Sequence, residues 1–405
     1  MSGLLAASVL TVAGMTAAIA QEAGKARPEV GKPLQDAANL LRAQKAREAL
    51  AKIGEADSVS NKTPYEIDLI NRMRASAASA AGDNETAAKA IEAIIASGRA
   101  SASEQGKLME SLVSTYTRAK DNAKAIQWGT RYLKEVGNSA QVRQYVAQAY
   151  YANGDYARAA GEFQNAVQSD VAAGRTPSEN ELQYLANCYL KAKDNAAYVS
   201  TIEKLLAYYP KREYWSDVLS RVQRKQGYSS RLDIDIWRLK NVTGLVHSTG
   251  DYMEMSQLAL QAGSPAEAKK IVDQAFANGS LGSGSDAERH KRLRDLANKT
   301  LAEAQKAQAQ RETEAAASND GQALVNLGFE YVGEGKYDKG LPLIEKGIKK
   351  GGLKYPEDAK LHLGVAYYMS GQKGRAVEMF KTVKGNDGTA DIARLWILQG
   401  GKSAS

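Results

Sequence analysis

The sequence predicts an all-α chain built as a stack of short helical hairpins, and three observations carry that expectation. Tyr (20) far outnumbers Phe (4), aromatics make up only 7% and Pro is 8 among 405 residues, which suits helices whose faces meet through Ala and Tyr. Val146-Ala147, Tyr150, Ala159, Phe163 and Ala166 fall where two consecutive helices touch, with small side chains at the closest approach and a ring filling the gap beside it. Tyr116 stands one 34-residue step before Tyr150, and each is followed by its own turn signal, Lys120-Asp121-Asn122 and Asn153-Gly154-Asp155.

Residues 1–20 carry no charge, hold an apolar run from Leu4 to Val12 and end Ala18-Ile19-Ala20, the pattern of a signal peptide with its cleavage site, although no Lys or Arg precedes the run. The expected mature chain opens with a flexible leader over 21–33. Helical periodicity starts at Leu34 and runs through Leu40, Leu41, Ala49, Leu50 and Ile53, a shortened first hairpin. A second follows from Pro64 to Ser97, divided by the turn Ala81-Gly82-Asp83-Asn84. The third contains Leu112-Val113 and Tyr116, the fourth Tyr150, and the fifth Leu185-Ala186, Tyr189 and the closing Pro210, after an insertion at Gly174 to Pro177. From Lys211 to Ser248 the pattern blurs into a degenerate repeat, and it recovers from Asp251 to Asn278 around Gly263-Ser264-Pro265. These units make an N-terminal array over 34–278.

Residues 279–317 read as a Gly/Ser linker followed by a long charged connecting helix, packed through its first half and solvated through its second. A C-terminal pair over 318–388 contains Leu327-Gly328, Tyr331, Gly340 and Gly347, then Leu363-Gly364, Tyr367, Ala376 and Phe380. A capping helix and tail occupy 389–405, with Ile392 to Leu398 covering the open end of the stack.

The order seen from Val146 onward, a large apolar–small pair, Tyr three positions later, then small, aromatic and small residues in a second helix, resembles the tetratricopeptide repeat. The resemblance implies a right-handed α-solenoid whose concave groove is lined by the first helix of each unit. It also implies a class of function, holding other proteins or peptides. In that geometry positions 2, 5, 9 and 12 of each first helix face the groove. Here the candidate binding residues are Gln144, Gln148 and Tyr151 in one unit and Gln183 and Asn187 in the next, beside Gln141, Asn180 and Leu190. Amides and Tyr satisfy the donors and acceptors of an extended peptide in several registers. Some related modules grip a C-terminal carboxylate with Lys and Asn at positions 5 and 9. The pairs here, Glu110/Ser114, Gln144/Gln148, Gln183/Asn187, Val325/Phe329 and Leu361/Val365, do not supply that clamp.

No constellation for catalysis emerges, so a non-enzyme without cofactor or metal is expected. His247, His290 and His362 stand at no metal-ligand spacing and read as surface or satisfied side chains, and a lone Cys188 reads as a buried small hydrophobe. Gly401-Lys402-Ser403 lacks the glycine a phosphate loop needs five residues earlier, where Trp396 stands. The formal charge of +8 is spread among acids, which favours a solvated helical surface and leaves room for contact to cell wall or an anionic polymer, and no nucleic-acid partner is expected. No segment after residue 20 approaches the roughly 18 apolar residues of a membrane span. The expectation is thus an exported, periplasmic or secreted scaffold, with a cell-wall or anionic-glycan-associated protein as the alternative. Replacing Ala159 or Gly364 by Leu is expected to overpack a helix–helix contact at a cost on the order of 1–3 kcal/mol; an unchanged melting temperature would argue against the register.

Overall fold

The computed structural model describes residues 25–400, and among these it contains twenty α-helices, one 3-10 turn and no strand. The fold is an all-α helical-repeat solenoid. The signal sequence expected over 1–20 and the last residues of the expected tail, 401–405, lie outside the described residues. The chain divides into two compact units between Tyr198 and Val199.

The first unit runs through α1 (Pro28–Arg42), α2 (Ala46–Asp57), α3 (Pro64–Ala81), α4 (Asn84–Ala96), α5 (Ala102–Ala119), α6 (Asn122–Glu135), α7 (Ala140–Ala152), α8 (Tyr156–Ala172) and α9 (Glu179–Lys191). Successive helices pair and stack, so each hairpin buries its apolar face against the next. α10 (Asn195–Tyr208) spans the division. The second unit continues through α11 (Arg212–Gln223), the turn η1 (Ser230–Leu232), α12 (Asp233–Val242), α13 (Thr249–Gln261), α14 (Pro265–Ala277), α15 (Ala287–Ala317), α16 (Gln322–Gly333), α17 (Tyr337–Lys350), α18 (Pro356–Met369), α19 (Lys373–Lys381) and α20 (Thr389–Gly400).

The turn inside each hairpin explains why the helices break where they do. In four hairpins of the first unit a residue of positive φ is followed by an Asp that caps the second helix, while in the first hairpin Gln44 is followed by Lys45, which makes no side-chain cap. Gly82, Lys120, Gly154 and Lys193 have φ of 75°, 60°, 78° and 60°, and Asp83, Asp121, Asp155 and Asp194 each accept from the backbone N–H three residues on at 3.0–3.1 Å. In the second unit the positive φ persists at Gly263, Gly335 and Gly371, but Ser264, Lys336 and Gln372 make no side-chain cap.

Neighbouring repeats are joined by a recurring seam. Four tyrosines near the ends of first helices reach back to the preceding helix: the Tyr116 hydroxyl donates to Glu92 at 2.6 Å, that of Tyr189 to Gln164 at 3.0 Å and that of Tyr367 to Glu345 at 2.5 Å, and Tyr331 donates to Glu312 of α15. Eight residues after three of these tyrosines, and after Tyr150 at the equivalent place in α7, a cation lies over the ring, Lys124 on Tyr116, Arg158 on Tyr150, Lys339 on Tyr331 and Arg375 on Tyr367, at 4.9, 5.0, 5.6 and 4.1 Å. Burial, then the neighbouring carboxylate, pushes the phenols of Tyr331 and Tyr367 up to about 12, so both remain donors.

Four expected boundaries are corrected. The leader assigned to 21–33 becomes helix from Pro28, because Pro28 presets the first-turn φ and Val30, Gly31 and Leu34 are buried. Arg27, just before it, is held by Glu66, whose carboxylate also closes the capping box with Thr63. Residues 279–285 are a folded turn and not a linker: Leu281 is buried, its N–H donates to the Ala275 carbonyl, and the Gly282 N–H donates to His290 Nδ1 at 3.1 Å. The second half of α15 is not simply solvated, since Ala315 is buried and Arg311 pairs with the buried Glu330 at 2.6 Å. α15 packs on both α14 and α16, so the compact units separate at Tyr198 and not where the linker was expected.

The αL turns generate a paired test. Asp121→Ala is expected to destabilise the chain by about 1 kcal/mol, whereas Lys120→Gly is expected to stabilise it by up to about 1 kcal/mol. Urea unfolding with unchanged slope would register opposite shifts in midpoint; shifts of the same sign would contradict the turn geometry.

Candidate functional site

The candidate site is the face of α7 and α9 in the first unit. α7 carries Gln144, Gln148 and Tyr151 on that face, all half-buried, and α9 carries half-buried Gln183 and exposed Asn187. The inward residues of the same helices, Val142, Val146 and Ala147, then Leu182, Leu185 and Ala186, are buried and fix the rotation of each helix. Ser139 and Ser178 cap the two starts by accepting from Val142 and Glu181 N–H groups.

The structure joins Tyr151 to neighbours that positional reasoning alone did not include. Its ring meets Tyr184 of α9 edge-on at 5.4 Å and Tyr156 at the start of α8 edge-on at 5.5 Å. Tyr184 in turn lies parallel to Phe163 at 5.2 Å with 6° between the planes, while remaining 36% exposed. Tyr145, one turn before Gln148, accepts from Ser114 of α5 at 3.5 Å. The missed residues had a readable signal: Tyr184 and Tyr145 both follow a glutamine groove position directly, Gln183 and Gln144. A shallow open depression adjoins Tyr156, lined by Asn153, Gly154, Asp155, Ala157 and Ala192.

The corresponding face in the C-terminal pair is different. Val325, Phe329 and Val332 on α16 and Leu361 and Val365 on α18 are buried, and α12 of the same unit lies against this face. The Arg238 guanidinium sits 4.6 Å over the Phe329 ring, and His362 stacks on that ring at 4.8 Å while reaching Asp235 at 3.2 Å. Arg231 bonds Asp358 through two contacts of 2.7 and 2.9 Å, reaches Asp387 at 2.5 Å and lies 4.3 Å over Tyr355. Arg238 also pairs with Asp235 at 2.7 Å and Glu267 at 2.6 Å. Burial would drive the Asp235 carboxyl upward, but the charges of His362 and Arg238 outweigh it and hold that group at about 2. Arg231, Asp235 and Arg238, within the stretch read as a degenerate repeat at 211–248, thus meet the residues of this face, and α20 touches α12 as well as covering α18 and α19.

The remaining chemistry-bearing residues have structural surroundings. Cys188 is buried and its thiol is pushed up to about 11 by that burial, away from thiolate reactivity. Tyr214 and Trp215 pack in the second unit, with Tyr208 left exposed. Among the described residues no three His, Cys, Asp or Glu side chains are grouped to hold a metal ion, and no described helix is long and apolar enough to cross a membrane.

Residues 72–140 match the tetratricopeptide-repeat family model. No curated protein matches the chain in sequence. Among solved structures, a chain of the complex of Naa15/Naa10 bound to HypK-THB is similar at 14% identity and TM-score 0.36, over 92% of this chain and 63% of that one. The chain thus spans less than two thirds of that relative's length. The TPR2AB domain of yeast Sti1, solved with pHSP90, is similar at 11% identity and TM-score 0.25 over 73% of this chain and 98% of that one, and the TPR domain of P58(IPK) at 13% identity and TM-score 0.24 over 92% and 97%.

The Arg231 clamp makes stability depend on acid. The Asp387 carboxyl sits at about 2, because the Arg231 and Thr389 hydrogen bonds outweigh the upward push of burial, whereas an unfolded Asp titrates at roughly 3.9. The folded value is the lower one, so the contribution is present above roughly pH 4 and is lost as pH falls toward about 2. Arg231→Met is expected to lose on the order of 1–3 kcal/mol near neutrality and to show a shallower fall in melting temperature over that acid window; curves parallel to the parent's would contradict the clamp.

Proposed function

We propose that this chain of tetratricopeptide repeats is a non-enzymatic scaffold that holds an extended protein segment on the α7–α9 face. The observation that carries the reading is the contrast between the two concave faces. In the C-terminal pair Val325, Phe329, Val332, Leu361 and Val365 are apolar and buried, with the chain's own α12 against them, whereas on α7 and α9 the equivalent positions are amides with Tyr151 and Leu190, half-buried or exposed. Side chains of that type hydrogen-bond to a polypeptide backbone without the desolvation cost of a charge. Export to the periplasm or beyond is supported by the Ala18-Ile19-Ala20 ending of the apolar leader, and N-terminal sequencing of the mature protein would then begin at Gln21.

The test is photo-crosslinking in the native compartment from a probe at Gln148, set against one at Arg158, an exposed residue of α8. A product unique to the Gln148 probe, and retained at about 0.5 M salt where the Debye length is a few Å, is the expected result. Equal products from both positions would remove the groove, and binding that vanishes in salt would transfer the function to the net positive surface and an anionic polymer.

A further inference from the structure

We propose that the α7–α9 face selects proline-rich segments in the polyproline II conformation, an inference that rests on the reading of this face as a peptide groove. The argument starts from what the face lacks. Gln141, Gln144, Gln148 and Tyr151 on α7 and Asn180, Gln183, Asn187 and Leu190 on α9 include no charged side chain, so neither an acidic nor a basic segment finds a complementary partner at these positions. A charged ligand would forfeit hydration there without an ion pair in return.

What the face supplies is a set of braced rings and amide donors. Tyr184 is fixed from two directions, parallel to Phe163 at 5.2 Å and edge-on to Tyr151 at 5.4 Å, yet keeps 36% of its surface in solvent. Tyr151 also meets Tyr156 edge-on at 5.5 Å, so the rings form steps that run from the groove to the depression beside Tyr156. The exposed part of the Tyr184 ring is a fixed apolar surface on which a pyrrolidine ring, itself compact and apolar, can lie. A prolyl residue has a carbonyl but no N–H, so its backbone asks only for donors. The amide groups of Gln144, Gln148 and Asn187 can supply them, and as mixed donor–acceptors they also tolerate the other residues of a mixed segment.

Conformational cost favours the same ligand. A polyproline II segment has no internal hydrogen bonds, is already extended at about 3.1 Å per residue and loses little freedom on docking. Aromatic-lined grooves that read such segments exploit that saving. A flexible segment of the same length would have to order its backbone for the same contacts, which costs roughly 1–2 kcal/mol per residue fixed.

The test is fluorescence anisotropy on the full chain with labelled peptides of roughly ten residues: oligoproline, a Gly/Ser chain of equal length, and oligoglutamate. Oligoproline is expected to bind at least about tenfold more tightly than either control, with little change between about 0.05 and about 0.5 M salt. Tyr151→Ala and Tyr184→Ala are each expected to weaken it about tenfold, while Tyr151→Phe and Tyr184→Phe keep the ring and the affinity. Gln148→Glu, which leaves the packed rings untouched, is also expected to weaken binding. Equal affinity for oligoproline and the Gly/Ser chain would overturn the selectivity and leave the groove standing. Absence of oligoproline binding, with a selective crosslink from Gln148, would also overturn this inference alone. Absence of both would remove the groove reading together with it.

Discussion

The seam between repeats is the constraint on which the rest depends. A two-helix hairpin of about 34 residues cannot enclose a core, since domains below roughly 40 residues need outside support. Each unit therefore leaves one side of its small residues and its Tyr to be covered by the neighbour. The Tyr hydroxyl completes that contact by donating across the junction, to Glu92, Gln164, Glu312 or Glu345, and the cation eight residues later closes over the ring where one is present. A buried phenol without such a partner would cost the interface on the order of 1–3 kcal/mol. At these four junctions the hydrogen bond favours the observed register of stacking.

Close packing within the hairpins is achieved in two ways. In α16 and α17 it is glycine on glycine: a Cβ placed on Gly328 would lie 2.7 Å from the Gly340 carbonyl oxygen, and one on Gly340 would lie 2.6 Å from that of Gly328. Seven residues along, Gly321 and Gly347 repeat the arrangement, so the two backbones touch over two turns and not at one point. In α18 and α19 the space at Gly364 is taken by the Phe380 ring, 2.4 Å from where a Cβ would be. Across the junction between two hairpins, Gly129 in α6 similarly admits Val146 of α7. Small residues at these sites thus serve either backbone contact or a ring or branched side chain, and the neighbour decides which.

Much of this was legible in the sequence because it is local. The 34-residue step, the apolar–small–Tyr order and the turns around Asp83, Asp121 and Asp155 lie within one hairpin, where spacing maps directly onto geometry. The start of α1 was not legible, because Pro28 and Pro33 resemble a leader until the buried contacts of Val30 and Leu34 are known. The Tyr seam had a signal, a basic residue eight positions after the Tyr, but spacing of eight is also one face of a single helix and gives no hint of a crossing to a ring. The pairing of Arg231 with Asp358, or Asp235 with His362, is separated by over a hundred residues and leaves no periodic trace at all. At the candidate site, spacing located Gln148 and Tyr151, while the ring steps through Tyr184 and Phe163 arise only when α8 and α9 meet.

The same repeat grammar has therefore produced two opposite outcomes, and side-chain chemistry at the groove positions is what separates them. Phe329, Leu361 and Val365 are too apolar to face water, so the energetics drive a covering element onto them, and α12 supplies it with Asp235 and Arg238, joined by Arg231 of η1, arranged to meet the polar edges. Gln144, Gln148 and Asn187 exert no such drive, because amides are satisfied by water until a ligand replaces it at little net cost. A surface that is stable when empty and still offers directional hydrogen bonds is suited to reversible occupancy. A surface that is stable only when covered becomes part of the core. The polarity of a few positions on successive first helices thus determines where this fold closes on itself and where it stays available.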